Sequence, residues 1–289
     1  MSNTVLITGA GGQVSHELAT ADSQYRLVAL SWQQLDISDP VQVDEAFAAY
    51  KPDILINAAA YTQVDLAEKE VEPAYAVNRD GVINLAGACK QADIPMLHIS
   101  TDYVFDGSKH GAYRESDPIA ALGVYGESKA AGDAVLQATL EQHIILRTSW
   151  VFSATGNNFV KTMLRLGRER EELGIVNDQH GCPTSARSIA EVLLDIADRY
   201  LQGGAIEWGT YHYCNQPETT WFDFAQAIFR QAGGFENLKL NAISTSDYPT
   251  PAQRPQSSVL DCSKFKANFG IEQANWMDEL GVVLAQMKN

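Results

Sequence analysis

Five short apolar runs alternate with helix-patterned stretches through the first half of the chain: VLIT (5–8), RLVAL (26–30), DILINAAA (53–60), MLHIS (96–100) and HIILRTS (143–149). Runs this short and this continuously apolar are strands buried on both faces. Between them, residues 12–21, 43–51, roughly 68–91 and 126–142 carry helical spacing. The alternation predicts an α/β fold built on a doubly wound parallel sheet of Rossmann type, because a parallel crossover needs a helix to return the chain. Such sheets bind ligands at the carboxyl ends of their strands. Four segments fall there: the glycine turn after the first run, residues 57–60, Ser100 with Thr101, and residues 148–150.

The turn reads GAGGQVS from Gly9 to Ser15. Gly9 and Gly12 permit a tight turn and let backbone amides approach a pyrophosphate where Gln13 and Val14 open a helix. Ser15 is small enough for close packing of helix on strand. A dinucleotide suits this arrangement. The second strand ends Leu30, Ser31, Trp32, without the acid that would bind a ribose 2′-hydroxyl and repel a 2′-phosphate. NADP(H) is therefore admitted, although no arginine recommends it. Asp36 either touches the adenine amino group or caps the helix beginning near Val41. Ile37, Ala58, Ala59 and Ala60 complete the expected cofactor wall.

Tyr125 and Lys129, in VYGESKAAGD, stand at i and i+4 and share one helical face. A lysine ammonium held there is expected to lower the pKa of the phenol from its ordinary value near ~10. Thr101 can offer its hydroxyl to the same oxygen. The set is suited to reducing a carbonyl when a nicotinamide cofactor delivers hydride.

After Trp150 the texture changes. Residues 157–171 form a basic amphipathic helix, 175–185 a strand and loop, 187–201 another helix and 211–215 a last strand. The tail from about 217 mixes helix with loops carrying Pro249, Pro251 and Pro255. The expected organisation is a cofactor domain of residues 1–150 and about 187–215, interleaved with a smaller domain of about 151–186 and 216–289.

The formal net charge of −15 argues against nucleic acid and anionic membrane surfaces as partners. No run approaches the ~18 apolar residues of a membrane span. Four scattered cysteines form neither a disulfide frame nor a zinc frame, and the six histidines have no ligand spacing, so no catalytic zinc is expected. A cytoplasmic protein with reduced thiols is the expectation.

Beyond these local features, several stretches match a known family in order along nearly the whole chain. They include INAAAYTQVDLAE (56–68), HISTDYVFDG (98–107), VYGESKAAGD (124–133), ILRTSWVF (145–152), GNNFVKTML (156–164), NDQHGCPTS (177–185) and YPTPAQRPQSSVLD (248–261). The chain resembles the extended short-chain dehydrogenase/reductase family, and within it the reductases of 4-keto sugar nucleotides. The resemblance implies NADPH as hydride donor, with NADH as the alternative, and a small-molecule nucleotide sugar as substrate. It makes Tyr125 the general acid, Lys129 its partner and a holder of the nicotinamide ribose, and Thr101 a donor to the carbonyl oxygen. Arg254, in the stretch resembling the family's sugar-nucleotide loop, is the first candidate for the diphosphate. Lys161, with Arg165 and Arg168, is either a second cationic contact or a solvated face. Trp150 either packs on the sugar or belongs to the core. Tyr103 has the same two readings. Thr62 and Val64 are expected near the sugar, and Asp65 as a helix cap. Some members form dimers that clamp a divalent ion between carboxylates. Glu17 stands at one such position, but Arg187 stands where an acid would be needed. A homodimer is therefore allowed and no metal site is expected. The rival functions are a reductase of another keto sugar and a non-catalytic, NADP-binding regulatory subunit.

Overall fold

The computed structural model describes residues 3–288. Its first half contains β1 (Thr4–Ala10), α1 (Gln13–Thr20), β2 (Arg26–Ser31), α2 (Pro40–Tyr50), β3 (Ile54–Asn57), α3 (Val64–Ala67), α4 (Val71–Tyr75), α5 (Gly81–Ala92) and β4 (Met96–Thr101). Then come α6 (Val124–Thr139), β5 (His143–Thr148), β6 (Val151–Phe152), α7 (Phe159–Glu169), β7 (Glu172–Val176), β8 (His180–Gly181), β9 (Thr184–Ser185) and α8 (Ala186–Leu201). The chain finishes with β10 (Gly209–His212), β11 (Thr219–Thr220), α9 (Trp221–Ala232), β12 (Lys239–Ile243), α10 (Ser263–Phe269) and α11 (Trp276–Gln286).

Among the described residues, six parallel strands form the central sheet in the order β10-β5-β4-β3-β1-β2. Alternate side chains leave each strand on opposite faces, so every apolar run feeds two cores. Val5, Ile7, Ile54, Ile56, Leu97, Ile144 and Leu146 meet α1, α8 and α10. Leu6, Leu55, Met96 and Ile145 meet α2, α5 and α6. Each such buried aliphatic side chain contributes roughly 1.5–3 kcal/mol. The order reverses between β1 and β3, which opens a crevice at their carboxyl ends. The glycine turn and residues 58–60 line it.

A third apolar cluster stands apart from the sheet, built from Val160, Met163, Phe224, Ile228, Trp276 and Leu280 on α7, α9 and α11. β7 and β12 pair beside it as a parallel ribbon. β12 was not foreseen, and residues 211–215 are not the last strand: the strand is Gly209–His212, and β11 and β12 follow it. KLNAI is only partly buried and lacks a continuous apolar run, so neither strand periodicity marks it. α10, expected with the second region, instead inserts Phe265 and Phe269 into the core beneath the sheet.

Two further elements differ from expectation. β3 ends at Asn57 because its side chain accepts from the Ala59 amide at 3.1 Å, closing a turn. The helix expected over 68–91 is broken into α4, a π-helical turn at Ala76–Asp80 and α5. Asn78 in that turn holds Tyr61 through both its backbone amide, at 2.9 Å, and its carbonyl, at 3.1 Å. Insertions of this kind mark positions where a side chain must be aimed off the helical path.

Candidate active site

The glycine turn is built for close approach. Gly9 has φ +76° and Gly11 φ +98°, left-handed values that favour glycine. A Cβ on Gly9 would lie 2.7 Å from the Ala59 Cα. Ser15 locks the turn by donating to the carbonyls of Gly9, at 2.5 Å, and Gly12, at 3.0 Å. Gly12 is the N-cap of α1 without a side-chain cap, so the first-turn amides of Gln13 and Val14 point at the crevice. Val14 and Ile37 are buried in the core, so only their backbones can meet a cofactor. Gln13 is held from across the molecule: its Oε1 accepts from Asn158 at 2.8 Å and Ser153 at 3.0 Å.

Asp36 does not cap α2. That cap is Asp39, which accepts from the Val41 amide at 2.9 Å. Asp36 instead accepts from the backbone and hydroxyl of Ser38, at 2.9 and 2.7 Å. Trp32, at the end of β2, is 66% exposed.

Tyr125 and Lys129 both lie on the first turns of α6, which starts at Val124. Gly126 allows this helix to press on the chain after β4, since a Cβ there would overlap the Tyr103 carbonyl oxygen. Thr101 stands beside Tyr125 and favours its phenolate form. It also donates to Asp102 at 3.0 Å and accepts from the Tyr103 amide at 3.1 Å. The Tyr103 ring meets that of Tyr125 edge-on, with centroids 5.7 Å apart.

The electrostatics correct one expectation. Lys129 does not lower the Tyr125 phenol in this structure. Burial pushes the phenol up to about 12, against the opposing effect of the Thr101 hydroxyl. Burial also pushes Lys129 down to about 8, although Asp133 pulls the other way. The ammonium group is engaged elsewhere: its Nζ donates to the Ile99 carbonyl at 2.7 Å and meets His98 Nε2 at 3.1 Å. Asp102, buried beside Thr101, is pushed up to about 7 by desolvation.

A cleft of about 630 Å³ opens beside Tyr103 and runs towards α7, with Arg254, Arg170, Trp221 and Tyr248 on its walls. Arg254 donates to Asp65 Oδ2 at 2.8 Å, and Asp65 also accepts from the Ala252 amide at 3.2 Å. Asp65 is thus a tether for the 250s loop rather than a helix cap. α7 presents Phe159, Thr162, Met163 and Leu166 to the cleft. Lys161 stands across the helix from that stripe, so the cleft does not receive it, contrary to one of its two expected readings. Arg165 pairs with Glu169 at 2.9 Å on the exposed face. Arg170, which continues the Met163–Leu166 stripe, is the cation that helical spacing could have found.

Trp150 has φ +48°, unusual for a bulky residue, and stacks on Trp221 with centroids 3.5 Å apart and planes 8° from parallel. Trp221 is on the cleft wall, and Trp150 braces it. Gly181 makes room, since a Cβ there would overlap the Trp150 indole. Val64 lies in a small recess with Tyr103 and Tyr125, whereas Thr62 is exposed ahead of α3. Arg187 bonds Glu279 at 2.5 Å and Glu191 at 3.3 Å, so its charge already has acidic partners.

A model of the family described as RmlD substrate binding domain matches residues 3–289. The chain is 48% identical over 283 residues to a dTDP-4-dehydrorhamnose reductase of Aggregatibacter actinomycetemcomitans, covering 96% of each chain. It is 42% identical over 281 residues to the enzyme of that name in Escherichia coli K12, covering 94% of each. A crystal structure of dTDP-4-dehydrorhamnose reductase from Bacillus anthracis, in complex with NADP, superposes with a TM-score of 0.91 at 36% identity and covers 99% of this chain and 100% of its own.

Proposed function

The chain belongs to the RmlD substrate-binding-domain family, and from that premise we propose that it reduces the C4 carbonyl of dTDP-4-dehydro-β-L-rhamnose to give dTDP-β-L-rhamnose. This is the final reduction in making the activated sugar. The observation that carries the reading is that Tyr125 on α6 meets Thr101, the last residue of β4, at the carboxyl end of a parallel sheet whose first turn fits a dinucleotide.

NADPH, when bound, supplies the hydride. The Gly9–Ala59 approach and the uncapped start of α1 fit its pyrophosphate, and the absence of an acid at the end of β2 leaves room for a 2′-phosphate. Gln13, Asp36 and the backbone of residues 58–60 are proposed to line the cofactor. Tyr125 gives its proton to the carbonyl oxygen as hydride reaches the carbon. Thr101 shares that oxygen and stabilises charge that develops only in the transition state. A phenol kept protonated by burial is a competent donor across the neutral range. Lys129 is proposed to hold the ribose and to pass the replacement proton to Tyr125.

The cluster around α7, α9 and α11, with the 630 Å³ cleft, is proposed to hold the sugar nucleotide. Arg254 and Arg170 would meet the diphosphate, Trp221 an apolar face of the nucleotide sugar, and Val64 and Tyr103 the sugar near Tyr125. Thr62 remains a proposed sugar contact from the resemblance.

We place the reaction in the cytoplasm. All four cysteines are free thiols, and no helix among the described residues is long and apolar enough to cross a membrane. A homodimer is the proposed assembly, to be checked by light scattering with and without EDTA. The function itself is tested by following NADPH oxidation with dTDP-4-dehydro-L-rhamnose, with NADH in parallel and dTDP-L-rhamnose identified as product. NADPH binding without oxidation would refute it.

A further inference from the structure

A buried chain of polar side chains leads from β1 to Lys129, and its hydrogen-bond directions can be read one by one. The Ala59 backbone N–H can only donate, and it reaches Asn57 Oδ1 at 3.1 Å. Thr8 donates to the same oxygen at 2.6 Å. These contacts orient the Asn57 amide, so that its Nδ2 faces His98 Nδ1 at 2.9 Å and donates to it. Nδ1 is therefore an acceptor, and a neutral imidazole then carries its one proton on Nε2. Burial keeps His98 neutral, far below the ordinary imidazole value, and the charges of Lys129 and His143 push the same way.

The Nε2–H lies 3.1 Å from Lys129 Nζ and 3.8 Å from Asp133 Oδ1. A donor thus faces the lysine. A neutral amine answers it with a lone pair and still donates to the Ile99 carbonyl at 2.7 Å. An ammonium would set N–H against N–H at this contact. Moving the His98 proton to Nδ1 would only transfer the clash to Asn57. Either way, charging Lys129 displaces a buried donor from its bond, which is unfavourable, and for Nε2–H the remaining acceptor, Asp133 Oδ1, stands 3.8 Å away, beyond hydrogen-bond reach.

We propose that His98, held in one tautomer by Asn57, is a positioning residue for the reduction: it weakens the hold of Lys129 on its proton, so that the proton can be passed on. The proposal rests on the reductase reading, in which Lys129 relays a proton to Tyr125. After Tyr125 gives its proton to the substrate oxygen, Lys129 passes one to the phenolate and takes a replacement from solvent, which restores both groups.

Every element packed around Lys129 contributes to its balance. β4 supplies His98, the Ile99 carbonyl and Ser100. α6 supplies Tyr125 and Asp133, whose charge favours the ammonium form. That effect is blunted because Ser100 donates to Asp133 Oδ2 at 2.8 Å and Arg147 of β5 lies 3.3 Å from the same oxygen. Asp102 lies buried just beyond β4, and His143 of β5 acts on His98.

The test is nitrogen-15 NMR on the cofactor-free protein, labelled in histidine and lysine. The expected His98 signal is a neutral ring protonated on Nε2, with Lys129 Nζ titrating well below ordinary lysine. A ring protonated on Nδ1, or a charged ring at neutral pH, overturns the proposal. Asn57→Asp replaces the donor with an acceptor, which draws the ring proton to Nδ1 and turns Nε2 into an acceptor for an ammonium. The Lys129 titration is then expected to rise by about one pH unit or more. An unmoved titration in a folded Asn57→Asp protein whose tautomer has switched also overturns it. Should that variant not fold, the wild-type tautomer still decides. These signals do not depend on turnover, so a failure of the wild type to oxidise NADPH would count against the reductase reading alone.

Discussion

Arg254 reaches Asp65 over 2.8 Å, and this ion pair ties the loop after β12 to the segment that follows β3. The two segments are far apart in sequence and belong to the two sides of the cleft. The guanidinium is mostly buried, so water screens the pair less than it would at an open surface. Arg254→Ala is expected to raise KM for the nucleotide sugar by about 10- to 100-fold, the range for a charged hydrogen bond. NADPH affinity should be unchanged. Steady-state kinetics with both substrates varied checks this, and an unaltered KM would remove Arg254 from the site.

Tyr125→Phe keeps the ring and its edge contact with Tyr103 but removes the proton. The expected loss in kcat is about 10²- to 10⁴-fold, with NADPH affinity held within about twofold. Fluorescence titration of NADPH beside single-turnover kinetics separates the two. Full activity in this variant would refute the acid role.

Lys129 makes stability depend on pH. Its folded value, about 8, lies below the ordinary value of 10.5. Between these values the unfolded chain binds more protons, so stability rises with pH through this window. Below it the burial cost is present in full, and above it the cost vanishes. Lys129→Met lacks this term. Urea unfolding at pH 7.5 and pH 10 should therefore show the wild type gaining on the variant as pH rises. A constant difference would contradict it.

Gly9→Ala meets two obstacles: a left-handed φ of +76° and a Cβ 2.7 Å from Ala59. The expected cost is about 2–4 kcal/mol in urea unfolding, together with loss of NADPH binding. Gly11→Ala, with a similar φ but open space around its Cβ, isolates the backbone term and should retain binding more fully. Equal affinity in the two variants would show that the close approach to Ala59, just after β3, is unimportant.

Much of the sheet was legible because its signals are local. Each strand of the first half is a short apolar run, and each turn that meets the crevice carries glycine or small residues. The 3.6-residue spacing placed Tyr125 above Lys129. What local patterns could not show was where long side chains end. The spacing sets Lys129 to act on the phenol, but its Nζ turns to the Ile99 carbonyl and His98, both on β4. Of the two readings of Trp150, sugar contact or core, local pattern could not choose; the indole stacks on Trp221, some seventy residues away. Asp102, just past β4, and His98, within it, carry no local signal, because a polar residue in or beside an apolar strand becomes informative only when its buried neighbours are known.

The sequence by itself determined the parallel sheet, the glycine turn and the register of Tyr125 with Lys129, since backbone stereochemistry and the spacing of apolar residues act over a few residues. Tertiary structure alone decided which cations reach the cleft, which indole faces it and what charge Lys129 carries. Those outcomes depend on burial and on hydrogen-bond partners supplied by strands that meet only once the chain has folded.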